Sequence, residues 1–236
     1  MGGPCEAGEV HGLHGRLSHL KAADVNTDSQ WLDDDTFELT VSGKVSHSKV
    51  FGENLLLTRK ISTRLGENVI IIEDSVENCG YRTAPFMLLY HMNFSWPLVD
   101  KNSFIEAPEH NVTPQNEIAA KGLPQWDRMS EPVPGFAEQV FYHDLPADAD
   151  GMAALTLVNP DLKLAMQVAY SKATLPFMVQ WKQMGQGEYV LGLEPGNCVP
   201  EGQVNNAAKN LLKTLAPGER VNHKVVLSFT ECGGPL

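Results

Sequence analysis

A histidine at the end of a very apolar segment is the first feature of the sequence that could do chemistry. Residues 85–90 are almost entirely apolar and lead directly into His91, which Asn93 and Trp96 follow. An imidazole that titrates near neutrality, beside an amide and aromatic rings, is typical of a site for a polyhydroxylated ligand. The alternative is a core histidine whose ring bonds to a backbone carbonyl. The residues alone leave both interpretations open.

Glu194 is the second candidate, and it lies far from His91 in the sequence. It follows the apolar segment 191–193 and precedes Pro195 and Gly196, so we expect it where a strand ends and the chain turns. In that place it is either a solvated turn carboxylate or, if it faces His91, half of an acid–base pair. Trp181 and Lys182 belong to the apolar segment before it.

A cluster of histidines near the start of the chain is the third candidate. Residues 11–19 hold His11, His14 and His19, with Arg16 and two glycines among them. Arginine and histidine side chains could donate hydrogen bonds to a sugar or an anion, and His11 with His14 could instead bind a metal. Their spacing of three does not place both on one face of a strand, and metal sites usually need further ligands. Exposed loop histidines are the remaining alternative.

Composition and charge exclude several classes of protein. With 18 basic and 29 acidic residues, the 236-residue chain has a formal charge of −11, which argues against nucleic acid as its main partner. No segment is apolar for long enough to span a bilayer, and the first residues do not resemble a signal peptide. The four cysteines, 5, 79, 198 and 232, form no C-x-x-C pair, so we expect free thiols in the reducing cytoplasm.

The elements that must position these residues are mostly strands. Short apolar segments bounded by turn residues predict strands at 36–45, 49–57, 59–65, 68–76, 83–94, 139–143, 153–158, 162–170, 177–181 and 220–232. Residues 65–68 predict a hairpin turn. The one convincing helix pattern covers 204–215, and 102–134 is predicted to form long loops. Since parallel strands need helical crossovers, the sheets must be mostly antiparallel.

The three clusters, in this order, resemble the galactose mutarotase-like superfamily of aldose 1-epimerases, and more closely its uncharacterised branch described as a domain of unknown function. Residues 90–94 resemble the segment that carries the acid histidine of the family. Residues 192–195 resemble the segment that carries its catalytic glutamate, and 13–16 its sugar-binding histidine–glycine motif. Residues 77–82 and 180–197 resemble the uncharacterised branch in particular. The resemblance covers nearly the whole chain, from about residue 8.

The resemblance implies an all-β fold, an antiparallel β-supersandwich with few short helices, and an enzyme that interconverts the anomers of a sugar. Glu194 would be the base and protonated His91 the acid, and ordinary pKa values would leave the glutamate ionised near neutrality. No metal or organic cofactor is implied. The implied sugar-binding residues are His14, Arg16, Asn93, Trp96, Trp181 and Lys182, of which Arg16 and Lys182 would favour a sugar acid.

Two alternatives accompany this interpretation. Asn93 and Gly196 stand where relatives carry a tyrosine and a glutamine, which favours a carbohydrate-binding or sensing protein without catalysis. A cupin-like, metal-dependent sugar isomerase using His11 and His14 is the other. We expect one mutarotase-like domain over 1–236 that begins at the first motif of the family and lacks strands found upstream in relatives. The partner would be a small carbohydrate, with no nucleic acid or membrane; the sequence predicts no oligomeric state.

Overall fold

The computed structural model describes residues 3–4 and 10–232, with side chains from residue 12 onward. Its contacts group the chain into two compact units, each built from two stretches of sequence. The first contains Met1–Leu89 and Asn197–Val226, and the second contains Tyr90–Gly196 and Leu227–Leu236. Among the described residues, no helix has the length and apolar character needed to cross a membrane. The single-domain assignment stays a prediction.

The first unit is built mainly from antiparallel strands. The strands β3 to β6 form a meander in which each pairs with the next. Its elements are β1 (Gly3–Pro4), β2 (Val10–His11), a 3₁₀ turn (Leu17–His19), β3 (Ala23–Trp31), β4 (Phe37–Ser48), β5 (Asn54–Arg64), β6 (Val69–Asn78), β7 (Ala84–Phe86), α2 (Gln203–Ala208), β16 (Lys213–Leu215) and the first half of β17 (Arg220–Glu231).

The second unit carries two sets of antiparallel strands. One is a five-stranded sheet in the order β10-β11-β14-β15-β8, and the other contains β13-β12-β9. The elements are β8 (Met92–Phe94), β9 (Phe104–Glu106), β10 (Asn111–Pro114), α1 (Glu117–Gly122), a 3₁₀ turn (Leu123–Gln125), β11 (Gln139–Asp144), β12 (Met152–Asn159), β13 (Leu164–Ser171), β14 (Phe177–Gly185) and β15 (Glu188–Gly196).

The core of the second unit follows from strand alternation. On β12, Ala153, Leu155 and Leu157 are almost completely buried, and on β15 Leu191 and Leu193 have no exposed surface. Side chains on a strand alternate between its two faces, so each set of strands turns one apolar face inward. Burial of a large apolar side chain contributes roughly 1.5–3 kcal/mol, which makes this face the main source of stability in the unit.

The predicted fold class is confirmed, because the described chain is mostly antiparallel sheet with few short helices. The hairpin at 65–68 is also confirmed, since β5 pairs with β6 and Gly66 has a φ of +84° at the turn. Two segments predicted as separate strands, 49–57 and 59–65, contribute to the single strand β5, which begins only at Asn54. The segment 83–94 is interrupted, and only β7 and β8 lie in sheets.

The predicted helix over 204–215 is wrong in length. Helix α2 ends at Ala208, and Asn210 has a φ of +58°, a left-handed conformation that asparagine tolerates and that ends helices. The last residues of the segment form β16, which pairs with β7. The prediction of loops over 102–134 is wrong in part, because that segment contains β9, β10 and α1.

Candidate active site

The register of the five-stranded sheet brings His91 next to Glu194. The backbone N–H of Tyr90 donates to the carbonyl of Pro195 at 3.0 Å, so the chain just before β8 runs beside the end of β15. Within the sheet, Asn93 lies opposite Gly192. Because alternate residues share a face, His91 and Asn93 lie on the same side as Gly192 and Glu194. We call this the site face.

His91 and Glu194 form a close pair with a defined geometry. Nδ1 of His91 lies 3.2 Å from Oε1 of Glu194. The hydrogen bond from Nδ1 goes instead to Oδ1 of Asn93 at 2.9 Å, since that oxygen can only accept. Oε1 of Glu194 is buried. Because Nδ1 of His91 donates to Asn93, this oxygen has no hydrogen-bond donor among the described residues. A buried carboxylate oxygen that lacks a donor can accept a hydrogen bond from a ligand hydroxyl.

Burial changes the acidity of Glu194. The residue is only 3% exposed, whereas the His91 side chain is 29% exposed. Loss of hydration disfavours the charged carboxylate and raises the pKa of Glu194 to about 8. The ordinary pKa used in the sequence-based expectation is therefore wrong for this glutamate. At neutral pH the unliganded carboxyl group is mostly protonated, and it becomes a stronger base than an exposed glutamate once ionised.

Trp181 lies beside the pair and contacts His91. It lies opposite Gly192 in the register of β14 and β15, so it shares the site face. Its ring meets the His91 ring edge-on with centroids 5.8 Å apart, and its Nε1–H donates to Oε2 of Glu138 at 2.8 Å. A partly exposed indole held in this way offers an apolar surface to the C–H groups of a sugar. The role of Glu138 had no signal in the sequence, because it follows from the position of Trp181.

Two more of the predicted sugar-binding residues are Trp96 and Lys182. Trp96 follows β8 and is 75% exposed, and its contact with a sugar stays a prediction. Lys182 is adjacent to Trp181 on β14 and so points to the opposite, buried face. Its Nζ donates to the carbonyls of Gln125, at 2.8 Å, and Arg128, and burial lowers its pKa to about 8. The lysine thus stabilises the loop after α1.

His14 and Arg16 belong to the first unit. They line a cavity of about 140 Å³ together with the apolar residues Leu55, Leu57 and Val76. Gly15 between them has a φ of +65°, which glycine adopts without strain and which turns the chain there. Their assignment to a sugar stays a prediction from the sequence.

The metal alternative falls partly outside the described side chains. The side chain of His11 is not described, and among the described residues there is no group of three or more histidine, cysteine or acidic side chains that could hold a metal. Of the cysteines, 79, 198 and 232 are free thiols, and position 5 lies outside the described residues.

Asn197 is a polar residue whose role the sequence did not reveal. In the first unit its Oδ1 accepts from the backbone N–H of Leu88 at 2.7 Å, and its Nδ2 donates to the carbonyl of Phe86 at 3.2 Å. The Asn197 side chain is buried, and both of its polar atoms form hydrogen bonds with backbone groups. Its place beyond the glutamate motif therefore reflects a structural requirement of this segment.

Comparison with known proteins identifies the family. A family model described as "Domain of unknown function (DUF4432)" matches residues 1–229, so the chain belongs to that family. No curated protein matches the chain.

Solved structures share the fold. An aldose 1-epimerase candidate from Klebsiella pneumoniae superposes with a TM-score of 0.92 at 23% identity, over 98% of this chain and 61% of the other. A galactose mutarotase-like protein from Clostridium acetobutylicum gives 0.60 at 15% identity, over 89% and 67%. A galactose 1-epimerase from Lactobacillus acidophilus gives 0.58 at 12%, over 89% and 67%. The chain thus has the galactose mutarotase-like β-sandwich fold and spans about three fifths of the Klebsiella protein's length.

Proposed function

We propose that this chain is an aldose 1-epimerase-like enzyme that interconverts the α and β anomers of a sugar or sugar derivative. The observation that carries the proposal is the pair on the site face: a buried glutamate with an oxygen that lacks a donor, 3.2 Å from a partly exposed imidazole. A base and an acid from distant segments, on one sheet face beside an indole, are the groups that ring opening needs.

The chemistry uses both members of the pair. The ionised Glu194 accepts the proton of the C1 hydroxyl while the bond between C1 and the ring oxygen breaks, and the His91 imidazolium gives a proton to the ring oxygen. Rotation about the C1–C2 bond then exposes the other side of the C1 carbonyl. Reversal of both proton transfers closes the ring with the opposite configuration and restores the pair, so no other reactant is consumed.

The position of Lys182 bears on the kind of sugar. A lysine beside the pair would have favoured a sugar acid, but its ammonium group is held by backbone carbonyls on the buried face. The described site face of the second unit carries the carboxyl groups of Glu138 and Glu194. These groups favour an uncharged sugar, because they bind hydroxyl groups and would repel a sugar carboxylate.

Anomer exchange provides the direct test. Exchange NMR across a panel of neutral sugars and sugar acids should show exchange above the buffer rate for at least one sugar, with neutral sugars preferred. Calorimetry with the same panel gives the affinities. A sugar that binds without accelerated exchange would overturn the enzyme assignment and support the carbohydrate-binding alternative.

The pH dependence should report the ionisation of Glu194. The carboxyl group must lose its proton before it can accept that of the C1 hydroxyl, and burial raises the pKa of Glu194 to about 8. We therefore expect kcat/KM, corrected for exchange in buffer, to rise between about pH 6 and about pH 8. A kcat/KM that is constant over this range would show that Glu194 is not a base with a raised pKa.

A further inference from the structure

Gly192 lies on the site face, and the space left by its missing side chain is occupied by the Glu194 carboxylate. A Cβ atom built on Gly192 would lie 2.5 Å from Oε1 of Glu194 and 3.1 Å from Cβ of Trp181. Real Cβ atoms do not approach an oxygen so closely, so any other residue here would force the carboxylate to move. The φ of Gly192 is not positive, and the need for glycine is therefore a matter of space alone.

The location of Gly192 in the sheet explains this crowding. It lies on β15 two residues before Glu194 and between its cross-strand neighbours, Trp181 on β14 and Asn93 on β8. Residues two apart on a strand project from the same face, so the carboxylate extends back along β15 over Gly192. In that position Oε1 of Glu194 lies 3.2 Å from Nδ1 of His91.

We propose that Gly192 is a positioning residue: the space above its Cα holds the Glu194 carboxylate beside His91, so a methyl group at position 192 separates the pair without removing any chemical group. This inference rests on the proposed function for its importance to catalysis. Its structural part, the seating of the carboxylate, can be tested whether or not the protein is an enzyme.

Gly192→Ala is the test variant, and Gly185→Ala is the matched control. Gly185 ends β14 in the same sheet, and a Cβ there would lie 3.2 Å from Oε1 of Gln183, the residue two positions before it. Both changes add one methyl group near the end of a flexible polar side chain, but only one of them affects the pair. We expect Gly192→Ala to lower kcat about 10–100-fold with little change in KM, because small misplacements of reacting groups are costly. Gly185→Ala should stay within about twofold.

A titration of Glu194 separates positioning from a general structural effect. Carbon-13 NMR of labelled glutamate carboxyl groups, assigned with Glu194→Gln, should show the Glu194 titration moving to lower pH in Gly192→Ala, because the displaced carboxylate gains solvent. The control variant should titrate as the wild type does. An unchanged titration in Gly192→Ala would overturn the proposal, and this measurement does not depend on turnover.

A stability cycle keeps the proposal falsifiable if Gly192→Ala folds poorly. In the Glu194→Ala background the obstructing carboxylate is absent, so adding Gly192→Ala should change the midpoint of thermal unfolding by less than it does in the wild type. Equal losses in both backgrounds would place the clash elsewhere in the sheet and overturn the proposal. Absence of exchange by the wild type, with this coupling intact, would instead refute only the proposed function.

Discussion

Glu194→Gln is expected to lower the rate of anomer exchange by about 10³-fold, the usual range for loss of one general base. Glutamine has the same shape but cannot accept the C1 hydroxyl proton. Sugar binding should persist, because the amide oxygen can still accept a hydrogen bond. Exchange NMR gives the rate and calorimetry the affinity. Glu188→Gln is the control, because it makes the same chemical change at an exposed position on the same strand.

The same variant should be more stable than the wild type at alkaline pH. Because the pKa of Glu194 in the folded protein is raised to about 8 from 4.5, ionising it there costs free energy that the unfolded chain does not pay. This penalty is absent below about pH 4.5 and grows by about 1.4 kcal/mol per pH unit until about pH 8. Glu194→Gln removes it, so the gain should approach about 4 kcal/mol at pH 7.5.

Denaturant unfolding of both variants at pH 5 and pH 8 measures that gain. Glu188→Gln should show no comparable dependence on pH. An unchanged exchange rate in Glu194→Gln would reject this residue as the base. A normal rate loss without the pH-dependent gain in stability would show that the carboxyl group is not desolvated as the structure indicates.

His143→Gln should make the folded protein less sensitive to acid. His143 is 2% exposed, and burial, followed by the nearby His110, lowers its pKa to about 3. Its Nε2 donates to Oε1 of Gln180 at 3.0 Å, because the amide nitrogen of Gln180 donates to the carbonyl of Trp126. Its Nδ1 then accepts from Nε2 of His110 at 2.9 Å. A neutral His143 satisfies both of its own ring hydrogen bonds.

The lowered pKa of His143 makes the folded protein less stable as the pH falls. Above about pH 6.5 His143 is neutral in both the folded and the unfolded chain; below it, the unfolded chain takes up a proton that the folded protein refuses until about pH 3. Stability is therefore lost at about 1.4 kcal/mol per pH unit as the pH falls from 6.5. Glutamine can replace both hydrogen bonds without titrating, so the loss should disappear in His143→Gln.

The measurement is the difference between variant and wild type in unfolding free energy at pH 7, 6 and 5. Another buried histidine, His223, has its pKa lowered to about 4, again mainly by burial, so a part of the acid sensitivity should remain. His19→Gln, a histidine replacement at an exposed position, is the control. Equal slopes for His143→Gln and the wild type would show that His143 is not held neutral.

Local patterns in the sequence predicted much of the fold. The strands β4, β6, β11, β12 and β13 lie within a few residues of their predicted bounds, because each carries an apolar pattern bounded by turn residues. Strand β3 had no such pattern, and all of its residues are exposed. Its pairing with β4 defines it as a strand. The sequence also did not predict where α2 ends, because the conformation of Asn210 and the pairing of β16 with β7 depend on the rest of the unit.

For the candidate site too, the residue types follow from the sequence, whereas their arrangement follows from the tertiary structure. By itself, the sequence determined which residues have the chemistry of an acid–base pair, His91 and Glu194, and that they would lie on antiparallel strands. Only the tertiary structure decided that they meet, because the register of β8 and β15 is a long-range property of the sheet. It also decided that Lys182 faces the core and that Glu194 is hard to ionise. One residue along a strand reverses the face, and burial, which no local pattern encodes, sets the cost of a charge.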